Sequence, residues 1–393
     1  MKIPQYSIHG LNRVLTLWLL MGCRAVLGQL DPASRSLVQV GYDQPTTGSG
    51  PQAVYAYYHY NNPGFLRTNV VLRLVIAPAY LDTELGFHEL ISPSTDVGFG
   101  VRGGLLGDSH FEVRQGEYFQ EESFAGHGGG LSLNLYQRLD PGWRIPLHLI
   151  VQGGPKWTTY SDWTRTRDTF EVPEDRMDGS TRVGLRFAGK EPMLYADQGL
   201  EVSVWYERQW RSPSGDFGYS EDRRVSSGTD LYWLYTGFNQ AWPQSGQQMT
   251  FSMTLAGSEG ADRLNAWRLG GVLPMMGEFP LALPGYYYDE FTARRVLHFS
   301  GSYVMPLSLD HRWQLRLAVA TAWVDYLEGF EQAGHWVTGA GPGLSYTSRS
   351  KSWRCIVRYG YGVNALRHGK DGAQSVGLLF QYNFKARGES AGP

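Results

Sequence analysis

Two groups of residues have types and spacing that could support acyl-transfer chemistry. The His-Gly-Gly-Gly run at 127–130 could present backbone N–H groups as an oxyanion hole. His298, Ser300 and Ser302 alternate along one face of an extended segment, where a nucleophile and its base could meet. Before residue 385 the nucleophile motif Gly-x-Ser-x-Gly does not occur in the sequence; its one match, at 388–392, lies in the short C-terminal tail. We therefore predict no catalytic residue: the glycines bend a strand and the histidines make hydrogen bonds.

Other patterns that bind cofactors or large partners are missing from the sequence. It contains no HExxH, P-loop, EF-hand or paired Cys/His spacing, so we predict no cofactor, nucleotide or metal site. Its formal net charge of -2 provides no basic face for nucleic acid. Its two cysteines, Cys23 and Cys355, are too few for a disulfide framework.

The N-terminal segment predicts export. Lys2 and Arg13 precede the apolar run 14–21, which has the length of a signal-peptide core and is too short to span a bilayer. We predict a signal peptide over 1–28, with cleavage after Gly28. The alternatives are lipidation at Cys23 and a buried helix of a cytoplasmic protein.

The rest of the chain alternates between apolar and polar residues with a period of two, which is typical of β-strands. In the segment 313–323, Leu317 and Val319 share an apolar face that begins and ends in Trp, whereas Arg316 and Ala318 lie opposite. Sixteen segments can be assigned as strands: 37–43, 53–60, 68–79, 83–90, 95–104, 129–138, 146–153, 182–187, 197–208, 229–240, 250–255, 296–306, 312–325, 336–347, 353–363 and 374–384.

Such strands could form a membrane barrel or a soluble sandwich, and the composition distinguishes between these two folds. Aromatic residues make up 14% of the chain and charged residues only 18%. Apolar faces that end in Trp or Tyr match the aromatic girdles of a membrane barrel, whereas a soluble sandwich would turn the same faces toward a shared core. We predict an all-β fold: a closed antiparallel transmembrane β-barrel in the outer membrane of a bacterium, with sixteen strands within a range of twelve to sixteen.

The last strand supports this fold. Phe380, Tyr382 and Phe384 alternate with polar residues, as in the C-terminal insertion signal that the barrel-assembly machinery recognises. We predict a barrel domain over 29–384 in the lipid bilayer and a short tail over 385–393. The last strand must pair with the first, because an open edge in hydrocarbon leaves costly unsatisfied backbone groups.

Three connections are predicted to be long. The segments 156–180 and 208–228 are polar and read as exposed loops, and the longest connection covers 257–295. A connection of that length suggests a functional loop, and we predict that it enters the lumen.

The end of the chain resembles a known family. Arg-Leu-Gly-Gly at 268–271, Leu-Pro-Gly-Tyr at 283–286 and the glycine-rich strand 339–347 are similar to the surface-antigen superfamily of 16-stranded barrels, which includes barrel-assembly and two-partner-secretion translocators. The resemblance implies translocation or assembly of exported polypeptide or lipid cargo. Strand patterns begin soon after Gly28, so we expect none of the periplasmic polypeptide-transport-associated domains of that superfamily.

The chain departs from the family at the loop tip. Pro284, followed by Gly285 and Tyr286, stands where the family has a lumenal arginine. By the same resemblance Asp325 is the candidate for the acidic position that faces the tip.

Charged residues on the polar strand faces are expected to line the lumen. They could pair with each other and with Asp289, Glu290, Arg294 and Arg295 of the long loop, or they could form a constriction that prefers anions. The arginines concerned are Arg182, Arg186, Arg316, Arg354 and Arg358, with Glu201 and Glu207 as the acidic partners.

We therefore predict a non-enzymatic outer-membrane barrel that serves translocation or assembly. A general diffusion porin with a loop-narrowed pore is the alternative. A lipid-modifying barrel enzyme that uses His298 is a third hypothesis.

Overall fold

A closed barrel of sixteen long strands forms the molecule. The computed structural model describes residues 30–77, 80–140, 145–189, 198–273 and 279–384. The strands, in chain order, are β1 (Arg35–Pro45), β2 (Ala53–Pro63), β3 (Val70–Ala77), β4 (Tyr80–Ser92), β5 (Thr95–Gly104), β6 (Val113–Arg114), β7 (Glu117–Tyr118), β8 (Phe124–Arg138), β9 (Leu147–Asp162), β10 (Arg176–Gly189), β11 (Gln198–Arg211), β12 (Gly228–Trp242), β13 (Gln247–Glu259), β14 (Trp267–Leu269), β15 (Phe291–Pro306), β16 (Trp313–Tyr326), β17 (Trp336–Thr347), β18 (Trp353–Arg367) and β19 (Lys370–Asn383).

Every long strand pairs in antiparallel register with its neighbours along the chain. The short strands β6 and β7 form a separate hairpin, and β14 extends the pairing of β15 beyond the end of β13. Each predicted segment overlaps one long strand, so the predicted all-β barrel with sixteen strands is confirmed. The predicted signal peptide, Cys23 and the tail at 385–393 lie outside the described residues.

The first and last strands close the barrel. In the β1–β19 pair, Leu37 lies opposite Asn383 and Val40 lies opposite Phe380. This pair is the one barrel seam without a connecting loop, and its ladder leaves neither strand as an open edge.

The two faces of each strand differ as the alternation predicts. On β16, Leu317 and Val319 are 47% and 51% exposed on the outer face, whereas Ala320 and Ala322 are buried on the inner face. Phe380 on β19 is likewise exposed on the outside. Such a wide apolar surface is unusual for a water-soluble protein and matches a lipid-facing band. The faces do not pack against one another, as they would in a sandwich.

The loops are long at one end of the barrel and short at the other. The loops 163–175 and 212–227 are shorter than predicted because β9 to β12 continue beyond the predicted strand ends. In the β9–β10 ladder, Arg176 still lies opposite Thr158. These loops are also less exposed than predicted, since Phe170 and Phe217 are buried.

Helical structure is confined to one turn, Gln120–Glu122, within the described residues. No helix in this part of the chain has the length and apolar character needed to cross a membrane.

Candidate functional site

The connection between β13 and β15, residues 260–290, folds into the barrel and is called the inserted loop. Its residues 274–278 lie outside the described residues. Leu283 and Tyr286 have no exposed surface, and both belong to the main lumenal cluster of apolar side chains. The predicted entry of this loop into the lumen is therefore observed, and it makes the loop part of the barrel's core.

The tip of the inserted loop rests on glycines of the barrel wall. A Cβ atom on Gly339 of β17 would overlap the carbonyl oxygen of Pro284, and one on Gly360 of β18 would overlap the backbone of Gly285. The Gly285 N–H donates to Ser375 Oγ at 3.0 Å. Pro284 cannot supply the arginine side chain that the family resemblance implies at this position, and this tip is held by close backbone packing.

A buried ion pair anchors the far end of the inserted loop. Arg367 at the end of β18 donates two hydrogen bonds to Glu290, at 2.8 and 2.7 Å. The Tyr287 N–H also donates to Glu290, at 2.7 Å, and the Arg367 guanidinium lies 3.5 Å from the Tyr287 ring centroid. Both charged side chains are nearly inaccessible. Two parallel charge-assisted hydrogen bonds fix both position and angle, so this end is held in one arrangement.

A second anchor joins the inserted loop to the closing seam. Asp43 on β1 accepts hydrogen bonds from the N–H groups of Val272, at 2.7 Å, and Leu273, at 3.3 Å. On β19, a Cβ atom on Gly377 would lie 2.7 Å from Val272 Cγ1. Arg358 donates to the Val272 carbonyl at 3.3 Å. The loop thus contacts both strands of the β1–β19 seam from the inside.

Sequence reasoning missed Arg367 and Asp43, which hold these anchors. Arg367 lies beyond the end of the predicted strand 353–363, and Asp43 is the last residue of the weak segment 37–43. The alternation gave no signal for Arg367, because this residue has the parity of the outer-face residues Tyr361 and Val363. A β-bulge between Gly362 and Leu366 turns it to the inner face.

The predicted lumen arginines fall into two groups. Arg186 pairs with Glu201 at 3.0 Å, and Arg182 lies 3.6 Å from Glu207. The Arg182 guanidinium also lies 4.8 Å from the ring of Trp205. These pairs belong to the wall formed by β10 and β11, away from the described contacts of the loop tip.

The other predicted arginines lie on β16 and β18. Arg354 donates to Thr347 Oγ1 at 3.0 Å, and Arg316 donates to Ser302. Both side chains line a small second cavity at the barrel wall. Of the predicted arginines, Arg358 is the one that donates a hydrogen bond to the inserted loop in the described structure, to the Val272 carbonyl.

Asp325 lies elsewhere than the family resemblance implies. Its neighbours Val324 and Tyr326 are buried on the inner face of β16, which leaves Asp325 on the outer face. It pairs there with Arg294 at 3.3 Å, and Arg295 is 4.0 Å away. The acidic residues that do anchor the loop are Glu290 and Asp43, whereas Asp289 is half-buried near Arg268.

The residues considered for catalysis make structural contacts. His298 is buried, and its Nε2 donates to the Ala282 carbonyl of the inserted loop at 3.0 Å. Ser300 and Ser302 bond to Ser252 and Thr250 across the β13–β15 ladder. The run 127–130 lies in β8. No cluster of His, Cys, Asp and Glu that could hold a metal ion is found among the described residues.

A polar cavity of about 1150 Å³ occupies the part of the lumen that the described residues of the inserted loop do not fill. Its wall is formed mainly by β2–β5 and β8–β11. Arg73 on β3 is typical of this wall, since it donates to Asp82 at 2.8 Å and to Glu84 at 2.9 Å. The lumen is therefore divided into a packed half, beside β15–β19 and β1, and a hydrated half, lined by charged side chains.

Four loops, 105–123, 163–175, 212–227 and 327–335, cover the end of the barrel with the longer connections and are called the cap. Phe170 and Phe217 from two of these loops pack on Phe124 at the start of β8. Such aromatic packing gives the loops a small apolar core of their own.

A buried polar cluster joins the cap to the inserted loop. Arg268 donates to His110 Nδ1 at 2.9 Å, and His110 Nε2 donates to Glu112 at 2.7 Å. Burial, aided by the charge of Arg268, lowers the pKa of His110 to about 4. Burial acts to raise the pKa of Glu112, but its hydrogen bond from His110 and the charge of Arg263 outweigh that effect and lower it. His110 is therefore neutral, which suits its acceptor role toward Arg268.

Solved structures with similar folds are outer-membrane barrels. CdiB from Acinetobacter baumannii superimposes with a TM-score of 0.59 at 11% identity, over 90% of this chain and 60% of that chain. BamA from Haemophilus ducreyi lacking POTRA domains 1–3 gives 0.53 at 11% identity, over 90% and 71%. CdiB from Escherichia coli gives 0.51 at 15% identity, over 90% and 63%. At these identities the likeness concerns the fold.

The sequence matches no protein-family model and no curated protein sequence. This chain spans about 60% of the length of the first CdiB. The fold defines the class of the protein: a closed, sixteen-stranded β-barrel of the bacterial outer membrane.

Proposed function

We propose that the protein is a non-enzymatic outer-membrane conduit that takes part in the translocation or assembly of exported molecules and is gated by the inserted loop. The observation that carries this proposal is the contrast between the packed half of the lumen and the cavity of about 1150 Å³ beside it. Displacement of the loop would join the two halves into one wide lumen, sufficient for an extended polypeptide or a lipid chain.

The contacts that anchor the inserted loop are more consistent with a movable gate than with a permanent plug of the lumen. The described polar contacts near its tip and anchors are individual ones: those of Glu290, Asp43 and Ser375, with further contacts from His298, Arg358 and Asn364. Contacts with water or cargo could replace them, since the net contribution to stability is about 0.5–1.5 kcal/mol for a neutral hydrogen bond and about 1.5–3 kcal/mol for one to a charged group. A partner that binds the displaced loop could therefore shift it between two arrangements.

A general diffusion porin is the second candidate, and the hydrated cavity favours it. A small solute could pass beside Arg73 and Glu84 with the inserted loop in place. The cap and the loop would then only set the size of the pore.

Single-channel conductance in planar bilayers tests the gate directly. Deletion of residues 272–290 removes the tip and both anchors, so we expect a conductance several times that of the full chain. The control is Arg294→Gln with Arg295→Gln, on the outer face of the strand that follows the loop; it should leave conductance unchanged. A full chain that already conducts at the level of the deletion variant would reject the gate and favour the porin.

A further inference from the structure

The hydrated cavity contains one arginine in an unusual environment. Arg102 lies near the end of β5 and reaches across the wall: its Nη2 donates to the Gly154 carbonyl of β9 at 2.8 Å and to Ser180 Oγ of β10 at 2.9 Å. Both acceptors are neutral. In the described part of the chain no carboxylate lies within 4.0 Å of this guanidinium, and its Nε is buried without a hydrogen-bond partner.

The positive charges of the other basic side chains in the cavity have different partners from those of Arg102. Except for Arg268, each has a carboxylate within 4.0 Å among the described residues, as Arg73 and Arg186 do. Arg268 has three neutral acceptors beneath the cap, including the carbonyls of Phe111 and Arg263. Arg102 therefore has no carboxylate in direct contact among the described residues, and it retains unused donors on a surface that lines the cavity.

A glycine lies beside Arg102 on the inner face of the barrel. The register places Arg102 opposite Gly130, the last residue of the run 127–130. A Cβ atom on Gly130 would overlap the carbonyl oxygen of Pro155, so no side chain is accommodated next to Arg102 at this position. Gly129 lies on the opposite, outer face of β8 with Leu131.

We propose that Arg102 is the anion-binding site of the hydrated cavity and that it recognises the oxyanion of a small solute, a carboxylate or a phosphate. A guanidinium suits both, because its donors form a planar fork that matches two oxygen atoms. This proposal deepens the proposed function, since it assumes a conducting cavity and assigns its solute class.

Ion selectivity in planar bilayers tests the site. Loss of one positive charge about 5 Å from a water-filled path lowers anion occupancy about fourfold and raises cation occupancy about fourfold. Arg102→Gln should therefore lower the anion-to-cation permeability ratio by up to about sixteenfold, and Arg102→Lys should preserve it. The matched control is Arg186→Gln with Glu201→Gln, which removes a charge pair from the same cavity without changing its net charge and should leave the ratio unchanged.

Block of the chloride current identifies the oxyanion. Inorganic phosphate and acetate are added separately, and Arg102→Gln should raise the half-blocking concentration of at least one of them. Block by both assigns carboxylates and phosphates, and block by one assigns that class. If neither the full chain nor the 272–290 deletion conducts, oxyanion binding is measured instead. Equilibrium dialysis of the detergent-solubilised protein against radiolabelled phosphate and acetate then compares the full chain with Arg102→Gln.

The outcomes separate this proposal from the gate. A folded Arg102→Gln variant with unchanged selectivity, block and oxyanion binding overturns the anion site, even where deletion of 272–290 widens the channel. A deletion without effect on conductance rejects the gate, but loss of anion preference in Arg102→Gln would still support the site.

Discussion

The two halves of the lumen differ in the side chains that their walls present. In the packed half the inner faces of β16–β19 carry small residues, such as Ala320, Gly339 and Gly360, and the inserted loop lies against them. In the hydrated half the walls carry Arg73, Glu84 and other charged side chains. Small residues permit close backbone contact, whereas long charged side chains keep water beside them. The side chains of the two walls therefore indicate that the inserted loop covers the wall of small residues and leaves the wall of charged residues uncovered.

The largest effect is expected from breaking the anchor of the packed half. Glu290→Gln or Arg367→Gln leaves a buried charge without its partner, which costs about 3–5 kcal/mol. We expect each variant to raise the open probability of the channel in planar bilayers and to lower stability against urea. The double variant should cost less than the two single variants together, because the two residues act as one unit.

The surface pair of Arg294 and Asp325 is the control for this anchor. The Arg294 side chain is 54% exposed, so Arg294→Gln should change stability by less than about 1 kcal/mol. Equal effects at Glu290 and Arg294 would show that the inserted loop is not held by the buried pair.

A smaller effect should distinguish a glycine beneath the loop tip from a glycine on the outer face of the barrel. A methyl group at Gly339 would overlap the Pro284 carbonyl, whereas one at Gly129, which shares the outer face of β8 with Leu131, would meet open space. Overpacking typically costs about 1–3 kcal/mol, so Gly339→Ala should lower the free energy of unfolding by that amount and expose the loop tip to protease. Gly129→Ala should be close to neutral. Equal tolerance at both positions would contradict close packing of the tip.

Much of the barrel could be predicted from the sequence, because period-two alternation is a local property. The faces of β16 follow from it directly. The pairing of the last strand with the first follows from the cost of an open edge in hydrocarbon. The ends of the strands could not be predicted, since beyond the membrane the outer face no longer has to be apolar. Arg367 was missed for this reason and because a β-bulge between Gly362 and Leu366 shifts the inner face of β18 from even-numbered to odd-numbered residues.

The candidate site depends on contacts between distant segments, which a single sequence does not specify. Entry of the longest loop into the lumen was predicted from its length and its resemblance to a family. Its partners were not: Glu290 was expected to pair with the predicted lumen arginines and pairs with Arg367, and Asp325 lies on the outer face. The roles of Phe380, Tyr382 and Phe384 in membrane insertion stay a prediction.

A disulfide between the inserted loop and the closing seam tests the packed half of the lumen most directly. With Cys355→Ser as background, Val272→Cys and Gly377→Cys place two thiols where the Cβ separation suits a disulfide, about 3.5–4.5 Å. Peptide mass spectrometry detects the bond, and Val272→Cys with Ser132→Cys, a position in the wall of the hydrated half, is the matched negative control. We predict that the first pair forms a disulfide in the membrane and that the oxidised protein keeps the low conductance of the full chain. Failure of that pair to form, or conductance of the oxidised protein at the level of the 272–290 deletion, would contradict this account.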